Sequence, residues 1–180
     1  MDRKAAVLID NQHLKKQVID QMSVYGEKFL LEYEAFSTFL CDDIRAEMFR
    51  TYIYDCEMKS NERLLSSLNK IDGFQVRKGV IQHSDRGYRQ KQVDILIALD
   101  MIKLSMKNRI DDIILVTGDG DFVPVIEFVK GESVKVHVRS GSSYNKELRE
   151  AADNFKKIPD EYVVGLGSNW EKTRKKLFGK

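Results

Sequence analysis

A chain of 180 residues with 42% hydrophobic and 32% charged side chains has room for one domain with a single sizeable core. Its formal net charge of +2 excludes a surface-wide attraction to nucleic acid, so any such pull must come from local patches. No low-complexity stretch or internal repeat is present. Cys41 and Cys56 lie in apolar patterns without a metal-ligand spacing, which predicts reduced core thiols in a reducing compartment. The N-terminal Asp2, Arg3 and Lys4 lead into a short apolar run broken by Asp10, neither a signal peptide nor a membrane span. A cytoplasmic protein with no membrane partner is expected.

Ala5-Ala6-Val7-Leu8-Ile9 predicts a central parallel strand ending on Asp10. Residues 15–32 form a polar, helix-compatible connection broken near Gly26. From Tyr33 to Met48, Phe36, Phe39, Leu40, Ile44 and Met48 recur at helical spacing and predict an amphipathic helix. Phe49–Tyr54 alternates as a second strand, Leu64, Leu65, Leu68 and Ile71 mark a helix closed by Asp72-Gly73, and Phe74–Ile81 alternates again. The stretch from Arg77 to Lys91 reads as a basic loop, with Lys78, Arg86 and Arg89, and with His83, Tyr88 and a flexible crest at Gly87. It is either a solvated mobile loop or a surface for a phosphate backbone, with Tyr88 able to stack on an unpaired base. Gln92 to about Lys107 is apolar on nearly every side, which predicts a mostly buried helix. Ile113–Val116 is a buried strand. Val125, Ile126, Phe128 and Val129 continue a helix to Gly131. Ser133–Val138 alternates as a fifth strand whose polar residues suit a sheet edge. Leu148, Ala151, Ala152 and Phe155 predict a final helix, limited by Pro159, and Val163-Val164 a short extended piece. A domain over residues 1–160 and a basic tail over 161–180 follow; the tail carries Lys172, Arg174, Lys175, Lys176 and Lys180 beside Trp170 and Phe178.

The alternation gives five strands with helical crossovers, hence an α/β chain with a parallel sheet covered on both faces. Four carboxylates then require an explanation. Asp10 follows the first strand, and Asp119 and Asp121 follow the fourth within Thr117-Gly118-Asp119-Gly120-Asp121, where open α/β sheets place their chemistry. Asp94 sits at the start of an apolar helix, where the positive dipole end favours an anion. Ordinary readings exist: Asp10 can cap a helix, and Gly-Asp-Gly is common turn chemistry. Asp100 lies six residues from Asp94, about 600° around the helix, so the two face different sides and Asp100 reads as a structural hydrogen-bond partner. If the strands are neighbours, the four carboxylates converge, and hard Mg²⁺ or Mn²⁺ would compensate their charge best. Such a site activates water and clamps the oxygens of a phosphodiester. Gly120, lacking a side chain, would leave space for metal or phosphate. No Cys/His cluster suggests zinc.

Ile9-Asp10, Lys91-Gln92-Val93-Asp94-Ile95 with Asp100, and Val116-Thr117-Gly118-Asp119-Gly120-Asp121-Phe122-Val123-Pro124 together resemble the NYN domain, LabA-like branch. Leu148, Ala151-Ala152-Asp153 and Phe155 resemble its closing helix. The resemblance covers most of residues 5–158 and is weakest over 15–75. It implies a PIN-like three-layer sandwich with a central, mostly parallel five-stranded sheet. It also implies a metal-dependent ribonuclease in which Asp10, Asp94, Asp119 and Asp121 form the catalytic metal site with Mg²⁺ or Mn²⁺. Thr117 would be a nearby hydroxyl and Lys91 a phosphate contact; Asn11, His13, Arg86 and Arg89 complete the candidate substrate-binding set. The family usually carries asparagine three residues after the first aspartate, where this chain has His13, a side chain able to ligate metal or titrate near neutral pH. The expected partner is RNA, single-stranded, with a homodimer as a candidate assembly. Two other readings stay open. One is an RNA-binding or regulatory module with a weak metal site. The other is an aspartyl-phosphate hydrolase, which normally needs a second aspartate where this chain has Gln12.

Overall fold

The computed structural model describes residues 3–22, 29–84, 87–158 and 163–165, with side chains over 3–17, 32–81 and 92–158. In chain order the elements are β1 (Lys4–Asp10), α1 (Asn11–Met22), β2 (Phe29–Leu31), α2 (Tyr33–Asp43), β3 (Glu47–Cys56), α3 (Glu62–Leu68), β4 (Phe74–Ser84) and β5 (Gly87–Lys91). There follow α4 (Val93–Ser105), β6 (Asp112–Val116), a 3₁₀ turn (Gly120–Phe122), α5 (Val123–Gly131), β7 (Lys135–Ser140), α6 (Lys146–Ala151), β8 (Asn154–Lys157) and β9 (Val163–Gly165).

The main sheet runs β5-β4-β3-β1-β6-β7-β8. The six strands from β4 to β8 pair in parallel, and β5 pairs antiparallel with β4. The α/β sandwich is as the sequence predicts, but its parallel part has six strands, not five, and the antiparallel edge makes seven. β1 lies between β3 and β6, and Ala5 to Ile9 are wholly buried, because helices cover both faces. Ala6 and Leu8 point into a layer shared with Ile97 and Met101 of α4 and with Ile126 and Val129 of α5. Ala5, Val7 and Ile9 point the other way, into a layer with Leu14 of α1, Phe36 and Leu40 of α2, and Leu68 of α3. Among the described residues, no helix is long and apolar enough to cross a membrane.

Several boundaries differ from the sequence reading, each for a local reason. The helix expected to reach Met48 stops at Asp43; Arg45 takes a left-handed conformation at φ 56° and turns the chain into β3. The basic loop is a hairpin: β4 runs to Ser84 and β5 returns from Gly87, with Val80 opposite Lys91 and Gln82 opposite Arg89. Its polar composition masked the strand alternation. Phe155 lies in β8, not in the final helix, which ends at Ala151. β7 is therefore not an edge strand but sits between β6 and β8. Beyond the exposed Lys135, its polar residues are buried and paired rather than solvated. His137 Nε2 lies 2.7 Å from Asp112 Oδ1, which Arg3 also contacts. Arg139 donates to Asp43 at 2.8 Å and to Asn154 at 3.0 Å. Val163-Val164 is extended, pairing with β2 and so tying the first residues of the predicted tail to the domain. Gly87, read as a flexible crest, begins β5 opposite Ser84, while the break near Gly26 and residues 85–86 and 166–180 lie outside the described residues.

Both cysteines are buried: burial pushes the Cys41 thiol up to about 12, and Cys56 donates to the Val80 carbonyl at 3.3 Å. Asp100 has the structural role read for it. Its carboxylate accepts from Tyr54 Oη at 3.0 Å and from Arg77 Nε and Nη2 at 3.0 and 3.2 Å, and the Arg77 guanidinium lies over the Tyr52 ring. An Asp100→Ala variant orphans a buried hydroxyl and a guanidinium together. It is expected to lose about 3 kcal/mol of stability, read as a lower urea midpoint.

Candidate active site

β1 and β6 are neighbouring parallel strands, so their carboxyl ends leave the sheet at one edge, side by side. β1 ends on Asp10, and β6 ends at Val116 and turns through Thr117 and Gly118 to Asp119. α4 packs along the same side of the sheet with Asp94 in its first turn. The result is a cleft of about 490 Å³ lined by Asp10, Gln12, His13, Lys16, Asp94 and Asp119.

Hydrogen bonds tie the acids together through the backbone. Asp10 is 8% exposed, and its Oδ1 accepts from the His13 amide at 3.1 Å, so the side chain caps the start of α1. Thr117 Oγ1 donates to Asp10 Oδ2 at 3.4 Å and accepts the Asp119 amide at 3.3 Å. Asp119 Oδ1 in turn accepts the Asp121 amide at 3.0 Å, capping the 3₁₀ turn. Thr117 is wholly buried and bridges two acids, so it orders the site rather than touching a substrate.

Burial and neighbouring charge raise two of these carboxyls above the ordinary carboxylate range. Burial pushes Asp10 up to about 6, assisted by the charge of Asp94 and opposed by the His13 amide and the Thr117 hydroxyl. Asp94 is also raised, first by burial and then by Asp119 and Asp121, which places Asp121 within electrostatic reach of the cleft. His13 is lowered by burial and by Lys16, against the attraction of Asp119; its Nε2 lies 3.2 Å from Ser140 Oγ. The acids are thus crowded beyond what their own hydrogen bonds compensate.

Steric packing holds the acidic turn against α1 and α6. A Cβ at Gly118 would fall 2.4 Å from His13 Cε1 and 2.7 Å from the Ser143 carbonyl oxygen. One at Gly120 would fall 2.5 Å from Asn145 Nδ2, so Gly120 makes room for Asn145 rather than for metal or phosphate. Asn145 also donates its amide to the Gly118 carbonyl at 2.9 Å and caps α6 through its side chain.

Two acids thus lie at the carboxyl ends of adjacent strands, a third in the first turn of α4 and a fourth on the turn that follows β6. The NYN domain model matches residues 4–159. This chain belongs to the NYN domain family. NYN domains are a PIN-like nuclease family, and the α/β sandwich agrees with that membership. A crystal structure of a protein of unknown function from Vibrio parahaemolyticus superposes at TM-score 0.69 with 26% identity, covering 91% of this chain and 97% of that one. Homoserine dehydrogenase from S. aureus reaches TM-score 0.41 at 11% identity over 87% of this chain and 32% of its own, a likeness that carries no argument. No curated protein matches.

Within this NYN domain the remaining candidates separate. Asn11 is wholly buried: its Nδ2 donates to Asp55 Oδ2 at 2.7 Å and its Oδ1 accepts from Tyr33 Oη. That amide is committed to the interior, not to a substrate. Asp55 also accepts from Lys15 at 2.8 Å and from Asn61 at 3.3 Å, so the group anchors α1 to the end of β3. Arg86 lies outside the described residues. The backbones of Arg89 and Lys91 lie in β5, and their side chains lie outside the described set. The sequence reading missed Lys16 and Gln12. The signal was present, since positions 12, 13 and 16 share one face of a helix that starts at the first acid.

The donor set is oxygen-rich and negatively crowded, which suits a hard divalent cation. Among the described residues, however, no group of three or more His, Cys, Asp or Glu stands close enough to hold a metal ion. The fit is therefore to an ion bound by one or two carboxylates, with water and substrate oxygens completing its shell, as Mg²⁺ commonly is.

Proposed function

We propose that this NYN domain is a Mg²⁺- or Mn²⁺-dependent endoribonuclease that hydrolyses phosphodiester bonds in single-stranded RNA. The observation that carries this reading is the crowding of Asp10, Asp94 and Asp119 in one cleft, with the carboxyls of Asp10 and Asp94 raised. Asp10 and Asp119 would hold the ion with Asp94 beside them. When bound, the cation would polarise a phosphate oxygen and acidify a water molecule. The chain's own residues do the rest. Asp121, exposed on the 3₁₀ turn, orients the attacking water and accepts its proton. Thr117 keeps Asp10 and the Asp119 backbone in register. Lys16, which lines the same cleft as the acids, draws in a phosphate. His13 supports the acidic turn against Ser140 and contributes a polar substrate contact. In sequence Arg86, Arg89 and Lys91 come just before Asp94, and this basic stretch is the candidate for a further phosphate contact.

A second reading, an RNA-binding or regulatory module with a vestigial metal site, draws on the lack of a three-ligand group among the described residues and on His13 at the family's asparagine position. Labelled single-stranded RNA incubated with Mn²⁺ separates the two. Metal-dependent internal cleavage supports the nuclease, whereas salt-sensitive binding with no cleavage leaves the module. A Lys16→Ala variant is expected to raise KM about tenfold with kcat little changed, the pattern of a lost phosphate contact that is equal in ground and transition states.

A further inference from the structure

The helix α4 is apolar on nearly every side, yet the core takes up only one of its faces. Val93, Ile97, Met101 and Leu104 are buried against the core. On the opposite side Ile95 is 62% exposed, Leu99 44% and Met106 62%, with Ile102 half-buried between them. This corrects the expectation of a mostly buried helix. At 100° per residue the steps of four, three and four place these four side chains within an arc of about 60°. That is the a/d spacing of a helix seam. Large apolar side chains gathered in one stripe, with polar Asp94 and Lys103 flanking them, mark a contact surface rather than scattered exposure.

We propose that this stripe is the contact between two copies of the chain, with α4 packed antiparallel against the partner's α4 across a two-fold axis. A two-fold interface must be self-complementary. Antiparallel packing brings Ile95 beside Met106 of the partner subunit and Leu99 beside Ile102 of the partner subunit, apolar against apolar throughout. It also sets the acidic start of the helix, at Asp94, next to the basic end marked by Lys103, Lys107 and Arg109, and it opposes the two helix dipoles. Parallel packing would instead place acid on acid and base on base. A single helical stripe covers less than the ~800 Å² per partner of a standard interface, so the dimer is concentration-dependent rather than obligate. The proposal does not rest on the nuclease reading, because its readout is mass.

Light scattering over a concentration series tests it with the full chain. The wild type is expected to pass from the mass of one chain to that of two. Leu99→Glu, at a position 44% exposed, is expected to keep the single-chain mass at every concentration and to match the wild type's melting temperature at dilutions where the wild type is also a single chain. An Ile95→Cys/Met106→Cys double variant is expected to oxidise to a covalent dimer, and neither single variant is, because like positions stand about 16 Å apart along the helix axis in the antiparallel pair. The natural cysteines are buried and do not compete. A wild type that keeps the single-chain mass at every concentration overturns the proposal and leaves the stripe to a different protein. Crosslinking of the single variants overturns the antiparallel arrangement.

Discussion

An Asp119→Asn variant is expected to cleave single-stranded RNA in Mn²⁺ about 10²–10³-fold more slowly than the wild type, while keeping its fold and its RNA affinity. The size follows from removing one charged oxygen from a site that would stabilise several kcal/mol of developing charge, at 1.36 kcal/mol per tenfold. The fold survives because the carboxylate is exposed and its one described structural bond, from the Asp121 amide to Oδ1, can be reproduced by an amide oxygen. Single-turnover cleavage alongside filter binding measures both effects. Undiminished cleavage by this variant would sink the assignment of the acidic cleft as the site of chemistry. Loss of both cleavage and binding would instead point to a collapsed turn.

Asp10→Asn should have a second and opposite signature: in the absence of divalent metal the variant is more stable than the wild type. The folded-state carboxyl is raised from 3.8 to about 6, chiefly by burial. Between these values the folded chain binds more protons than the unfolded chain. Stability therefore falls as pH rises through this window, and above it the folded chain carries the full cost of a buried charge. At 1.36 kcal/mol per pH unit the difference amounts to about 3 kcal/mol. A neutral isostere that still accepts the His13 amide avoids that cost, and for a chain of this size the melting temperature should rise by about 5–10 °C at pH 8 in chelator. At pH 4 the two proteins should melt together. Adding Mn²⁺ should stabilise the wild type and not the variant, because a bound cation favours the ionised carboxylate. A variant that melts below the wild type at pH 8 in chelator would show that the site was never electrostatically strained. With both expected results in hand, the domain would be one that gives up stability at a residue proposed for its chemistry.

How much of this was legible beforehand depends on how local the signal is. The central strand was plain because a strand buried on both faces must be apolar throughout, as Ala5–Ile9 and Ile113–Val116 are. Asp10 and Asp119 were conspicuous for the same reason in reverse, as carboxylates just beyond such runs, and adjacent parallel strands carry such ends to one edge; Asp94 stood out as an acid opening an apolar helix. Strands whose polar residues find buried partners were not legible. His137 and Arg139 made β7 look solvated, because the residues that neutralise them, Asp112 and Asp43, lie far away in sequence. β8 followed it into error, since four residues of mixed polarity carry no period strong enough to outweigh a helix just before them.

The sequence by itself determined the α/β class, the central place of the first strand and the NYN membership, and singled out four candidate acids, because each is written in the periodicity of a short window or in a spacing shared with the NYN family. Only the tertiary structure decided which polar residues near Asp10 face the cleft and which the interior. Asn11 and His13 are two residues apart at the start of one helix, yet Asn11 turns inward to Asp55 and Tyr33 while His13 stands in the cleft against Ser140. The structure also assigned Gly120 to Asn145 and left one side of α4 uncovered. Those outcomes depend on partners from distant parts of the chain, and on how wide a helix is compared with the sheet beneath it, neither of which a linear pattern encodes.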